Sequence, residues 1–211
     1  MFGLSVEVIK AKKHRLFWIL LIIMIFVEIL IIGGMRYWAT HLSTPDTHIK
    51  DELLRIRAST SFPGVILSTL TFSATFGTIF AVIFASRLGG EEYRFGTAKQ
   101  MVSMGISRSW YAFGKLVASV VISAAFTIFP VAAASVFTTV ISIFSREPVL
   151  AEPITVSLVW QVTRGLGIAW MCLGFYSGLA VFLAIATRQS QTATTIGILM
   201  ILLEGNIMNS F

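Results

Sequence analysis

Five long apolar runs, separated by polar or charged stretches, set the pattern of this chain. They lie near 16–34, 62–86, 116–144, 166–187 and 192–210. A helix needs about 20 residues to cross a hydrocarbon core of roughly 30 Å, and each run is of that order. The runs show no period-two alternation, which predicts helices rather than barrel strands. The third run would extend roughly 43 Å at helical rise, so it is expected to tilt, kink or project, and Pro130 supplies a reason for a kink. The expected fold is all-α: a polytopic helical membrane protein with five spans, forming one transmembrane domain over residues 1–211.

The polar interruptions carry their own patterns. In residues 35–61, Asp46 can cap a short helix on which Ile49, Leu53 and Ile56 share a face and Asp51 precedes Arg55 by four. The simplest reading is a surface helix on the outer membrane face. Ahead of the first run, Phe2, Val6 and Ile9 form an apolar stripe before the basic segment 10–15, as an interfacial helix would.

The stretch "GGEEYRFGTAKQMVSMGISRSWYAFGK", residues 89–115, is the richest in charge and glycine. Gly89 and Gly90 are expected to end the second helix, with Glu91 and Glu92 opening a new one. Phe95, Ala98, Met101 and Val102 then share one side, while Arg94, Lys99, Gln100 and Ser103 lie elsewhere. Gly105 is expected to stop this helix and Ser107 to cap the next, with Arg108 to Lys115 leading into the third run. A solvated turn with interfacial anchors would account for the charge. It would not account for the length, because only about four residues join the fourth and fifth runs. An amphipathic helix held on the membrane face, displaying both signs of charge, reads as a docking surface for another protein.

Composition narrows the class. Of 211 residues 56% are hydrophobic and 12% charged, with mean hydropathy +0.85; soluble domains carry roughly a quarter charged residues. The net charge of +6 sits mainly beside the apolar runs, which fits topology rather than nucleic-acid binding. With the N-terminus in the cytoplasm, ten bases face inward: Lys10, Lys12, Lys13, Arg15, Arg87, Arg94, Lys99, Arg108, Lys115 and Arg188. Six face outward: Arg36, Lys50, Arg55, Arg57, Arg146 and Arg164. That bias places the N-terminus inside. The first run is too long for the apolar part of a cleavable signal.

Several chemistries are missing from the sequence. Gly114-Lys115 is followed by Leu116 and lacks the leading glycine of a phosphate loop, so ATP binding is not expected here. Ser177 in "GFYSG" has no base nearby, since His14, His41 and His48 lie outside the spans. Gly174 and Gly178 at GxxxG spacing are better read as a helix-packing surface. One cysteine, Cys172, and no HExxH leave no metal site, and no catalytic residues emerge. Two acids stand out. Glu28 and Glu204 each lie some 18 Å above the inner ends of their spans, at helical rise, and would share one layer. Either they line a transport path and favour cationic or amphipathic cargo, or they are neutral or hydrogen-bonded and serve packing.

These motifs together resemble the permease subunits of type-2 ATP-binding-cassette exporters. In that family the inner loop after span two carries paired acids, an arginine, an aromatic and Gly-Thr, then Ser-Arg and Gly-Lys before span three. Here these are "EEYRFGT" at 91–97, "ISRS" at 106–109 and "GK" at 114–115. The basic "KAKKHR" at 10–15 and "FYSGLAVFLAIATRQS" at 175–190 also look like the family, so the resemblance covers essentially the whole chain. It implies that the loop is a coupling helix seated on an ATPase subunit, with Glu91, Glu92, Arg94, Gly96, Thr97, Lys99 and Arg108 making or supporting that contact. It further implies a second permease subunit, ATP and magnesium bound by the ATPase rather than by this chain, a lipid environment, and a bacterial or archaeal plasma membrane. Family members usually have six spans, so a chain with five is expected to lack a C-terminal part. A membrane anchor or regulatory subunit that recruits an ATPase-like partner without transporting is the alternative.

Overall fold

The computed structural model describes residues 9–10, 12–41, 47–94, 107–145 and 155–208. Among these residues the chain is helical, with no strand. Helix α1 (Arg15–His41) leads to the short α2 (Thr47–Thr60). Helix α3 (Gly64–Phe72) passes through a π turn (Ser73–Gly77) into α4 (Thr78–Arg94). Then come α5 (Arg108–Phe144), α6 (Val156–Thr187) and α7 (Ser190–Met208). Four helical stretches are long and apolar enough to cross a membrane: Arg15–His41, Gly64–Tyr93, Ser109–Phe144 and Val156–Thr187. The fifth expected span is a shorter apolar helix, Ser190–Glu204.

Helix α4 is the hub of the bundle, packed on α6, α7, α5 and α1, while α3 lies against α5 and α6. One core cluster joins Phe17, Leu20, Leu21 and Met24 of α1 to Ala81 and Phe84 of α4, Ile122 and Phe126 of α5, and Leu173 of α6. Phe17 meets Phe84 and Phe126 edge-on, at 5.6 and 5.5 Å between centroids, the arrangement that ring quadrupoles favour. A second cluster, Val82, Ala85, Ala180 and Val181, binds α4 to α6. A third, Ile32, Val65 and Ala134, closes the far end. On α1 the exposed residues Ile19, Ile22, Ile23, Phe26 and Leu30 are as apolar as the buried ones. Water would not tolerate that surface; a bilayer does.

Two sequence expectations change in detail. The second helical span does not stop at Gly89 and Gly90 but runs on to Arg94. Helix α5, with the fully buried Pro130 inside it, has 37 residues, more than a perpendicular crossing needs. Helix α6 begins ten residues before the expected fourth span. The short helix expected within residues 35–61 is present as α2, with Leu53 buried. Asp46, the residues Phe2 and Val6, and the stretch 95–106 with its expected stop at Gly105 lie outside the described residues.

Ser107 caps α5: its hydroxyl accepts from the Trp110 backbone N–H at 3.4 Å. Ser107→Ala should therefore cost about 0.5–1 kcal/mol, the lower part of the usual range because the bond is long. A lowered melting temperature of the purified protein is the check; an unchanged one would mean that the cap contributes nothing.

Candidate functional site

The C-terminal end of α4 touches a different element at almost every residue. The Lys115 ammonium of α5 donates to the Leu88 carbonyl at 2.7 Å. At Gly89 a Cβ would come within 2.9 Å of Ala184 Cβ and 3.1 Å of the Val181 carbonyl oxygen, so only glycine lets α6 approach this closely. At Gly90 a Cβ would come within 2.7 Å of the Ser190 backbone nitrogen, at the start of α7. This explains why the glycines do not end the helix. They are where two other helices lean on it.

The next two residues are the paired acids. Glu91 Oε2 lies 3.2 Å from His14 Nε2, just before α1, and its other oxygen lies 3.6 Å from Arg87 Nε one turn back. The Leu16 backbone N–H donates to His14 Nδ1 at 3.2 Å, which leaves Nε2 to carry the proton given to Glu91. Glu92 accepts from the Tyr111 hydroxyl and lies 3.3 Å from Lys115 Nζ. The Lys115 ammonium also stands 5.2 Å from the Tyr111 ring centroid, a cation–π contact. Lys115 is only 1% exposed, so these partners take the place of water around its ammonium.

The same helix forms a seam with α7 at four-residue steps. Gly90 faces Ser190, the Ser86 and Thr194 hydroxyls hydrogen-bond, and Val82 fits against Gly197. The C-terminal end of α4 is therefore held by α1, α5, α6 and α7 together, through close-packed backbone and buried charge.

The residues expected from the sequence fall into three groups. Glu91 and Glu92 are drawn together at this hub, in contact with their own chain. Arg94 ends α4 and Arg108 opens α5, on either side of the loop; Gly96, Thr97 and Lys99 lie outside the described residues. Gly174 and Gly178 face α5, with Val120 Cγ1 and Leu116 Cδ2 at 3.4 and 3.7 Å from the positions their Cβ atoms would take. The two acids expected to share a layer stand in different surroundings: Glu28 is 2% exposed, inside the bundle, while Glu204 is exposed on α7.

Lys115 is the residue sequence reasoning undervalued, read as a loop base rather than a buried partner of Glu92. Its signal was the position itself: Tyr111 and Lys115 sit four apart on one face of α5. Among the described residues no group of acids, histidines and cysteine could hold a metal ion.

A family model described as ABC-2 family transporter protein matches residues 3–204. No curated protein and no solved structure matches the chain. Matched over nearly its whole length, with an all-helical bundle of apolar spans, the chain belongs to the ABC-2 transporter family as a membrane component of an ABC transporter.

Proposed function

We propose that this protein is the permease subunit of an ATP-driven exporter, moving an amphipathic or cationic cargo out of the cytoplasm. A separate ATPase subunit binds and hydrolyses ATP with magnesium, and a second permease subunit completes the transport unit. The stretch 89–115 docks on the ATPase from the cytoplasmic side of a bacterial or archaeal plasma membrane, where the excess of bases also places the N-terminus.

The hub at the inner end of α4 supports this reading most directly. Residues 88–92 contact α5, α6, α7 and the start of α1, and they lead straight into the loop. A partner that pulls on the loop would move four helices through one lever. Alternating access then follows if nucleotide and cargo bind the two arrangements with different affinity. Glu28 and Glu204 would contribute negative charge along the cargo's path.

Purification of the tagged chain in mild detergent, with mass spectrometry and an ATPase assay, is the test. The expected result is a stoichiometric subunit carrying a phosphate-binding loop and ATPase activity, lost when Glu91 and Glu92 are reversed in a chain that stays monodisperse. A chain that purifies alone, or with partners that have no nucleotide site, would overturn the reading.

A further inference from the structure

Three polar side chains are buried inside the spans on α1 and the α3–π segment. Both carboxyl oxygens of Glu28, the Thr69 hydroxyl and the Ser73 hydroxyl are buried with no hydrogen bond of good geometry, although Thr69 stands close enough to the carboxyl to act on it, and the residues are 2%, 1% and 0% exposed. The helix register brings them together. Met24 of α1 packs on Gly77, and Ile32 clusters with Val65, so α1 and the α3–π segment run antiparallel. Glu28 lies midway between Met24 and Ile32, opposite the stretch that holds Thr69 and Ser73. The Thr69 hydroxyl faces the carboxyl.

The two hydroxyls differ from every other one on this segment. Those of Ser68, Thr71, Thr75 and Thr78 bond back to carbonyls one turn earlier, as helical hydroxyls in lipid commonly do. Thr69 and Ser73, four apart in sequence, do not. Ser73 also opens the π turn, a local widening that recurs at binding sites. The other buried charge on this face of α1, Arg36, lies two turns further on and donates to Ser142 of α5 at 3.1 Å.

We propose that Glu28, Thr69 and Ser73 form a binding site for a compact monovalent cation, an alkali ion or a primary ammonium group, between α1 and the π turn. The donors are all oxygen, which suits a hard cation or an N–H donor. One carboxylate neutralises one positive charge, whereas a divalent ion would leave a net charge at membrane depth, where it is costly. The site stands whether or not cargo passes this point.

The test is the melting temperature of the purified full chain at pH 8, in NaCl, methylammonium chloride or N-methylglucamine chloride at equal ionic strength. Sodium or methylammonium is expected to raise it by a few degrees with a saturable dependence, and whichever does so identifies the class of ligand. Glu28→Gln should abolish the shift, and Thr69→Val should weaken the apparent affinity about tenfold. If Glu28→Gln does not fold, Thr69→Val combined with Ser73→Ala takes its place. No shift beyond that in N-methylglucamine, or a shift that survives these substitutions, overturns the site. The measurement needs neither ATPase nor transport, so its failure leaves the permease reading intact.

Discussion

Gly90→Ala is expected to lower stability by about 3 kcal/mol and to leave little folded protein, whereas Gly167→Ala should be neutral or slightly stabilising. A methyl at position 90 would stand 2.7 Å from the Ser190 backbone nitrogen and 2.9 Å from its Cα, and backbone cannot swing aside as a side chain can. Relief requires the start of α7 to move off α4, which also parts the Ser86–Thr194 hydroxyl pair and the Val82–Gly197 contact further along the seam. Helix propensity works the other way, favouring alanine by at most about 1 kcal/mol, so the clash wins. At Gly167 nothing lies within 4 Å of an added Cβ, and propensity acts alone. Melting curves of the two variants in one detergent decide the matter. Equal melting temperatures would mean that the seam is loose and that the bundle does not depend on it.

Those glycines also show where the sequence was legible and where it was not. Helical class and spans could be read because lipid forces backbone groups to bond within a helix, which leaves long apolar runs as the visible mark. Facing could not be read. In water an apolar stripe names the buried side, but on α1 buried Leu21 and Met24 alternate with exposed Ile22, Ile23 and Phe26, and hydropathy is blind to the difference. The facing signal in a membrane is small and polar residues instead, and Gly89 and Gly90 were read by the rule for water, where glycine ends helices. The paired acids were legible as a special place because charge is sparse in this chain. Their partners were not, since His14, Tyr111 and Lys115 come from segments up to 77 residues away. Glu28 stands out by its depth, but the buried hydroxyls of Thr69 and Ser73 become visible only in the folded bundle.

Lys115→Met should cost about 3 kcal/mol, the low end for breaking a buried ion pair, because the Glu92 side chain keeps 17% exposure and some access to water. Removing the ammonium takes the cation from beside the Glu92 carboxylate and a donor from the Leu88 carbonyl, at the point where α4 hands on to the loop. Combining Lys115→Met with Glu92→Gln removes both charges. The amide can still accept from the Tyr111 hydroxyl, and stability should return to within about 1 kcal/mol of the parent. This cycle separates two roles that a simple reversal of Glu92 confounds: Glu92→Lys sets a second ammonium against Lys115 and loosens the end of α4 whether or not any partner touches it. If the uncharged pair melts like the parent yet no longer retains an ATPase subunit, the carboxylate itself meets that subunit. If the pair retains the subunit, Glu92 serves only to hold α4 to α5, and the contact falls to Glu91 and the residues that follow. A Lys115→Met protein that melts with the parent would show that the buried charge is not held by this pair at all.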